Sequence, residues 1–76
     1  MLQDNAHRLL ALEIEAVLLK DYRRADIQHR SSLRVCPTPD APWVRYCAAA
    51  LGVSGKQLVH RVLKKMDAID SQTQTP

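Results

Sequence analysis

The sequence predicts an all-α protein: a long N-terminal helix followed by two helices joined by a tight turn. Three observations carry that expectation. Apolar residues recur at helical spacing along most of the 76 residues, whereas strand-like alternation is confined to Leu33, Arg34 and Val35. Two glycines and an aromatic content of 4% leave little material for a sandwich or barrel. Hydrophobic types at 46% against charged types at 25% are a folding composition rather than a disordered one. The length allows one domain, expected over residues 1–70, with a core small enough that a partner often completes it.

The first helix is expected over residues 6–29, with Asp4 or Asn5 as its cap and no glycine or proline before Pro37. At roughly 100° per residue its apolar positions do not form one stripe. Leu10, Ile14, Val17, Leu18 and Tyr22 make a broad core face. Leu9, Leu12, Ala16 and Leu19 cover much of the other side. A helix that is apolar on both sides needs cover on both, and a chain this short supplies only one. Those four residues are therefore the expected interface of a homodimer.

Residues 31–40 read as a linker, because Pro37, Pro39 and Pro42 interrupt helix and Leu33 and Val35 suit a short extended stretch. The second helix is expected over residues 41–51. Asp40 would cap it, Pro42 fits its first turn, and Trp43 would anchor it in the core beside Val44, Cys47, Ala50 and Leu51. Gly52 is the residue expected to close it in the left-handed conformation. The third helix, residues 55–69, is the best specified. Ser54 and Gln57 form a capping box, Val53 and Leu58 a hydrophobic staple. Leu58, Val59, Val62, Leu63, Met66 and Ile69 form one apolar stripe, with Lys56, Gln57, His60, Arg61 and Lys64 opposite. The polar end, residues 71–76, is expected to be a disordered tail.

Only Gly52, Val53 and Ser54 join the last two helices, with Ala48 four residues before the glycine and Leu58 six after it. Leu51 and Val53 flank the glycine as apolar neighbours. On these residues the stretch 44–63 resembles the helix-turn-helix DNA-binding proteins. Nine residues after the glycine the family carries an apolar residue where this chain has Arg61, a place that Val62 takes if the helix is rotated. The segment from Trp43 and Val44 through Gly52 and Ser54 also looks like short bacterial proteins of unknown function. The helix-turn-helix resemblance implies double-stranded DNA as partner and the third helix as the recognition helix.

The charge pattern points the same way. Net charge is only +3, yet residues 41–66 hold Arg45, Lys56, Arg61, Lys64 and Lys65 with no acidic residue. The expected DNA-binding residues are Arg45, Ser54, Lys56, Gln57, His60, Arg61 and Lys64. Lys56 and Arg45 would hold phosphates, Gln57 suits adenine and Arg61 guanine. A second cluster, Arg23, Arg24, Arg30 and Arg34, is diluted by Asp21 and Asp26 and suits the helix C-terminal dipole and solvent.

Catalysis finds little support. Glu13 and Glu15 lie on different sides of their helix, and His7, His29 and His60 are scattered and expected to be exposed. No cofactor or metal is expected, since Cys36 and Cys47, even with His29 and His60, lack zinc-site spacing. Neither a signal peptide nor a membrane span is legible, which makes the cytoplasm the expected address. The reading is a small dimeric regulator of transcription. The alternative is a protein–protein adaptor or inhibitor of phage or plasmid type, gripping its partner through the apolar face of the first helix.

Overall fold

The computed structural model describes residues 5–73, and 84% of them are helical with no strand among them. Four helices follow in order: α1 (Asn5–Arg24), α2 (Ile27–Val35), α3 (Pro42–Leu51) and α4 (Gly55–Thr73). α1 packs on both α3 and α4, and α3 folds back on α4, giving a body of 46 × 22 × 16 Å.

The expected first helix is two. It stops at Arg24, and Asp26 takes an extended conformation (φ −75, ψ 178) and accepts a 2.9 Å hydrogen bond from the His29 N–H. An aspartate that caps a following helix ends the preceding one without glycine or proline. Arg30 then turns back across the elbow. Its Nε donates to Tyr22 O at 3.0 Å, which also accepts the Ala25 N–H at 3.2 Å, and its Nη2 donates to Arg23 O at 2.9 Å, so both carbonyls at the end of α1 are satisfied. The region expected as linker over residues 31–40 is correspondingly shorter, because residues 31–35 belong to α2. Leu33 and Val35 are helical and not extended.

The cap of α3 is Ala41 (φ −62, ψ 137), without a side-chain hydrogen bond, and not Asp40. Pro42 decides this, since it disfavours helical geometry for the residue before it and itself suits the first helical position. Gly52 closes α3 as expected, at φ 72 and ψ 30. Val53 N–H reaches Ala48 O at 3.0 Å and Gly52 N–H reaches Ala49 O at 3.4 Å, the paired bonds of a Schellman closure. Gly55 suits its place for a different reason: a Cβ there would stand 3.0 Å from Pro39 O, a tight contact, because the 36–41 connection lies directly on the start of α4. α4 continues through Thr73, past the expected end at residue 69, because Ile69 is buried and Asp70 is held by α2. The expected tail is therefore helical at residues 71–73. Residues 74–76, and Asp4 as a cap, lie outside the described residues.

The core is Ala11 and Tyr22 of α1, Val44, Cys47, Ala48 and Ala50 of α3, and Leu58, Val62, Met66 and Ile69 of α4. Tyr22 is its largest fully buried side chain. Trp43, the expected anchor, is only half-buried against the edge. On α1 the buried line runs through Ala11, Glu15 and Tyr22, rotated from the expected face. Ile14 and Leu18 remain packed, but Leu10 and Val17 are 50% and 49% exposed.

Candidate nucleic-acid interface

The start of α4 is built as its sequence dictates. Ser54 Oγ accepts from the Gln57 N–H at 3.1 Å, and Gln57 Oε1 accepts from the Ser54 N–H at 2.9 Å. Leu58, Val62, Met66 and Ile69 face inward, which leaves Lys56, Gln57, His60 and Lys64 exposed on the opposite side. Arg45 is exposed on α3 and Ser54 at the turn. An open groove of about 450 Å³ lies among His60, Arg61, Lys64, Lys65 and Ala68.

Two of the five cations in residues 41–66 do not point freely outward. Glu15 of α1 is 3% exposed, and it draws both toward itself. Lys65 Nζ donates to Glu15 Oε1, and Arg61 Nη2 stands 3.2 Å from Oε2. That second contact is an ion pair at an angle that makes no hydrogen bond, so Oε2 has no hydrogen-bond partner. Arg61 thus faces a buried carboxylate on α1, while the fully buried Val62 takes the inward position beside it. Gln57 is also engaged, because its carbonyl oxygen belongs to the cap.

The expected dimer residues divide. Leu9 is 66% exposed, Leu12 is 42% exposed, and Ala16 lies open beside them. Leu19 does not share that exposure. It packs against the core and lines a groove with Arg23, Lys65, Ala68, Ile69 and Gln72.

The arginine cluster also departs from expectation, since Arg30 and Arg34 do more than meet solvent and dipole. Asp70 takes Arg30 Nη1 at 3.2 Å and Arg34 Nη1 at 3.3 Å, while Arg34 Nη2 donates to Asp67 Oδ1 at 2.7 Å. The Tyr22 hydroxyl donates to Asp70 Oδ2 at 2.7 Å, and the Arg30 guanidinium lies 5.1 Å from the Tyr22 ring centre. Burial raises the Tyr22 pKa, with the Asp70 carboxylate adding to the shift against the Arg34 hydrogen bond. The Arg34 pKa is raised by its bonds to Tyr22 and Asp67. His7 is half-buried rather than exposed, 2.9 Å from the Tyr46 hydroxyl. Cys36 is an exposed free thiol and Cys47 a buried one, its pKa pushed up by burial and then by Glu15.

Sequence reasoning missed Glu15 and Asp26. Glu15 sat inside an apolar run with Arg61 far away in the chain, so only Arg61 at an apolar position hinted at it. Asp26 carried its own signal, a capping residue just after Arg23 and Arg24.

The fold and site define a small all-α protein with a tight, glycine-closed helical pair and a cationic outer face on its last helix. Among the described residues no helix is long and apolar enough to cross a membrane. Comparison with family models, curated proteins and solved structures finds no match for this chain.

Proposed function

We propose that this protein is a dimeric DNA-binding regulator that sets the outer side of α4 in a major groove. The observation that carries the reading is the exposed row Lys56, Gln57, His60 and Lys64, lying within a span that holds no acidic residue. A one-signed helical face of this kind neutralises phosphates and releases their counterions. Lys56, Lys64 and Arg45 are the phosphate contacts, and Ser54 keeps the helix start in place. His60, central in the row, meets a base edge. Gln57 contributes its amide nitrogen while its oxygen keeps the cap. Arg61 acts indirectly, fixing the rotation of α4 on α1 through Glu15. The exposed Leu9, Leu12 and Ala16 supply the contact to a second copy, so that two recognition helices reach half-sites about one turn of DNA apart.

Fluorescence anisotropy with duplex DNA across a salt series tests this. The expected result is an affinity that falls linearly on logarithmic axes, with Lys56→Ala and Lys64→Ala each flattening the slope by about one. No association at low salt, or an unchanged slope in the double variant, overturns it. A protein that ignores DNA but loses a protein partner on Leu12→Glu is the adaptor instead.

A further inference from the structure

The outer side of α1 is an apolar seam with a register. Leu9, Leu12, Ala16 and Leu19 follow one another at spacings of three, four and three, the a and d positions of two heptads. Leu9, Leu12 and Ala16 are exposed, and Leu19 closes the row where the groove to α4 begins. In this register Arg8 takes a g position and Glu13 the e position that follows it. Both are exposed. Glu13 has Leu9, Leu10, Ala16 and Val17 three and four residues away, so its own helix offers no cation at pairing distance.

Parallel helices in register bring each g position against the following e position of the other. Arg8 of one copy then meets Glu13 of the other, twice per dimer. The next such pair, Glu15 with Lys20, is not formed, because Glu15 lies buried beneath α4 with Arg61 and Lys65. An antiparallel pair on the same seam sets Leu9 against Leu19 and Leu12 against Ala16. That arrangement brings the two Glu13 carboxylates side by side on the exposed flank of the seam, where like charges repel.

We propose that α1 pairs with α1 of a second copy as a parallel, in-register seam of Leu9, Leu12 and Ala16, fixed by reciprocal Arg8–Glu13 ion pairs. The proposal rests on the dimeric reading above and adds the orientation of the partner. The two-fold axis then runs along α1, and both α4 helices present their N-terminal turns toward the same end of the dimer.

Sedimentation equilibrium of the intact chain, without DNA, tests it alongside circular dichroism of each variant. Wild type dimerises with concentration. Arg8→Glu alone and Glu13→Arg alone each weaken the dimer about tenfold, and the two together restore it to within a few-fold of wild type. Glu13→Gln also weakens a parallel dimer, whereas strengthening on that change means the antiparallel one and overturns the proposal. With Cys36→Ser removing the exposed thiol, Leu9→Cys cross-links on oxidation only if the two copies are parallel. A folded wild type that stays monomeric, a double swap without recovery, or a Leu9→Cys dimer that does not cross-link each overturns the seam. A monomer that still binds duplex DNA with the salt slope described above removes the seam and leaves the DNA reading standing. A cross-linked dimer without DNA affinity does the reverse.

Discussion

Glu15 and Asp70 each tie α4 to a neighbouring helix, one under cover and the other near the surface. Glu15 reaches from α1 to Arg61 and Lys65, and its side chain is 4% exposed. Asp70 reaches from α4 to Arg30 and Arg34 of α2, and its side chain is 31% exposed. Both use one carboxylate for two cations. Water, however, can replace a lost partner only at Asp70, so the two should respond very differently to the same kind of change. The Glu15 contact ties α4 to α1, and the Asp70 contact holds the α1–α2 elbow onto α4.

The largest effect is expected where the charge has no alternative. Arg61→Met combined with Lys65→Met leaves Glu15 buried and unpaired, and urea unfolding should lose about 3–5 kcal/mol. Arg34→Met, which strips a half-exposed partner from Asp70 and Asp67, should lose no more than about 1 kcal/mol. Equal losses at the two sites would break the comparison.

Tyr22→Phe comes next. It removes the 2.7 Å bond to Asp70 while keeping the ring in the core, for a loss of about 1 kcal/mol. The tyrosine also carries a pH signature. Its folded pKa is raised, so its contribution is complete below the ordinary value of 10.0 and is lost as pH rises through the raised one. Urea unfolding midpoints compared across the alkaline range should fall more steeply for wild type than for Tyr22→Phe.

The smallest effect is expected at Asp26, an exposed side chain bonded to His29 nearby in sequence. The His29 N–H lowers its pKa first and the His29 side chain second. Its support for α2 is therefore present above the ordinary carboxylate range and is lost as pH falls through the lowered value. Asp26→Ala should speed amide exchange in α2 at neutral pH and leave α4 unchanged. Faster exchange in α4 as well would mean that the elbow and the last helix are one cooperative unit.

The same contrast explains what could be read from the sequence. The α3–α4 pair was legible nearly residue by residue, since Gly52, Ser54, Gln57 and the stripe from Leu58 to Ile69 act through neighbours in the chain. The elbow was half legible: Asp26 is a local cap, but an unbroken apolar pattern up to Tyr22 concealed it. The cap of α3 falls one residue after Asp40 because Pro42 acts through backbone sterics, which outweigh the capping preference of an aspartate side chain. Glu15 was not legible. Its partners lie on α4, and burial is a property of the assembled helices rather than of any window of sequence. The same limit applies to the outward face of α4. Spacing alone put Arg61 with His60 and Lys64, and only packing on α1 turned it toward Glu15.

On the proposed function, the outward face of α4 contacts DNA while α1 and the elbow do not. Backbone and side-chain NMR shifts of the intact protein, followed as duplex DNA is added at low salt, separate these surfaces. Saturating shifts are expected at Lys56, His60, Lys64 and Arg45, with the α1–α2 elbow around Asp26 unmoved. Shifts concentrated at Leu9, Leu12 and Val17, or none anywhere as DNA is added, would contradict it.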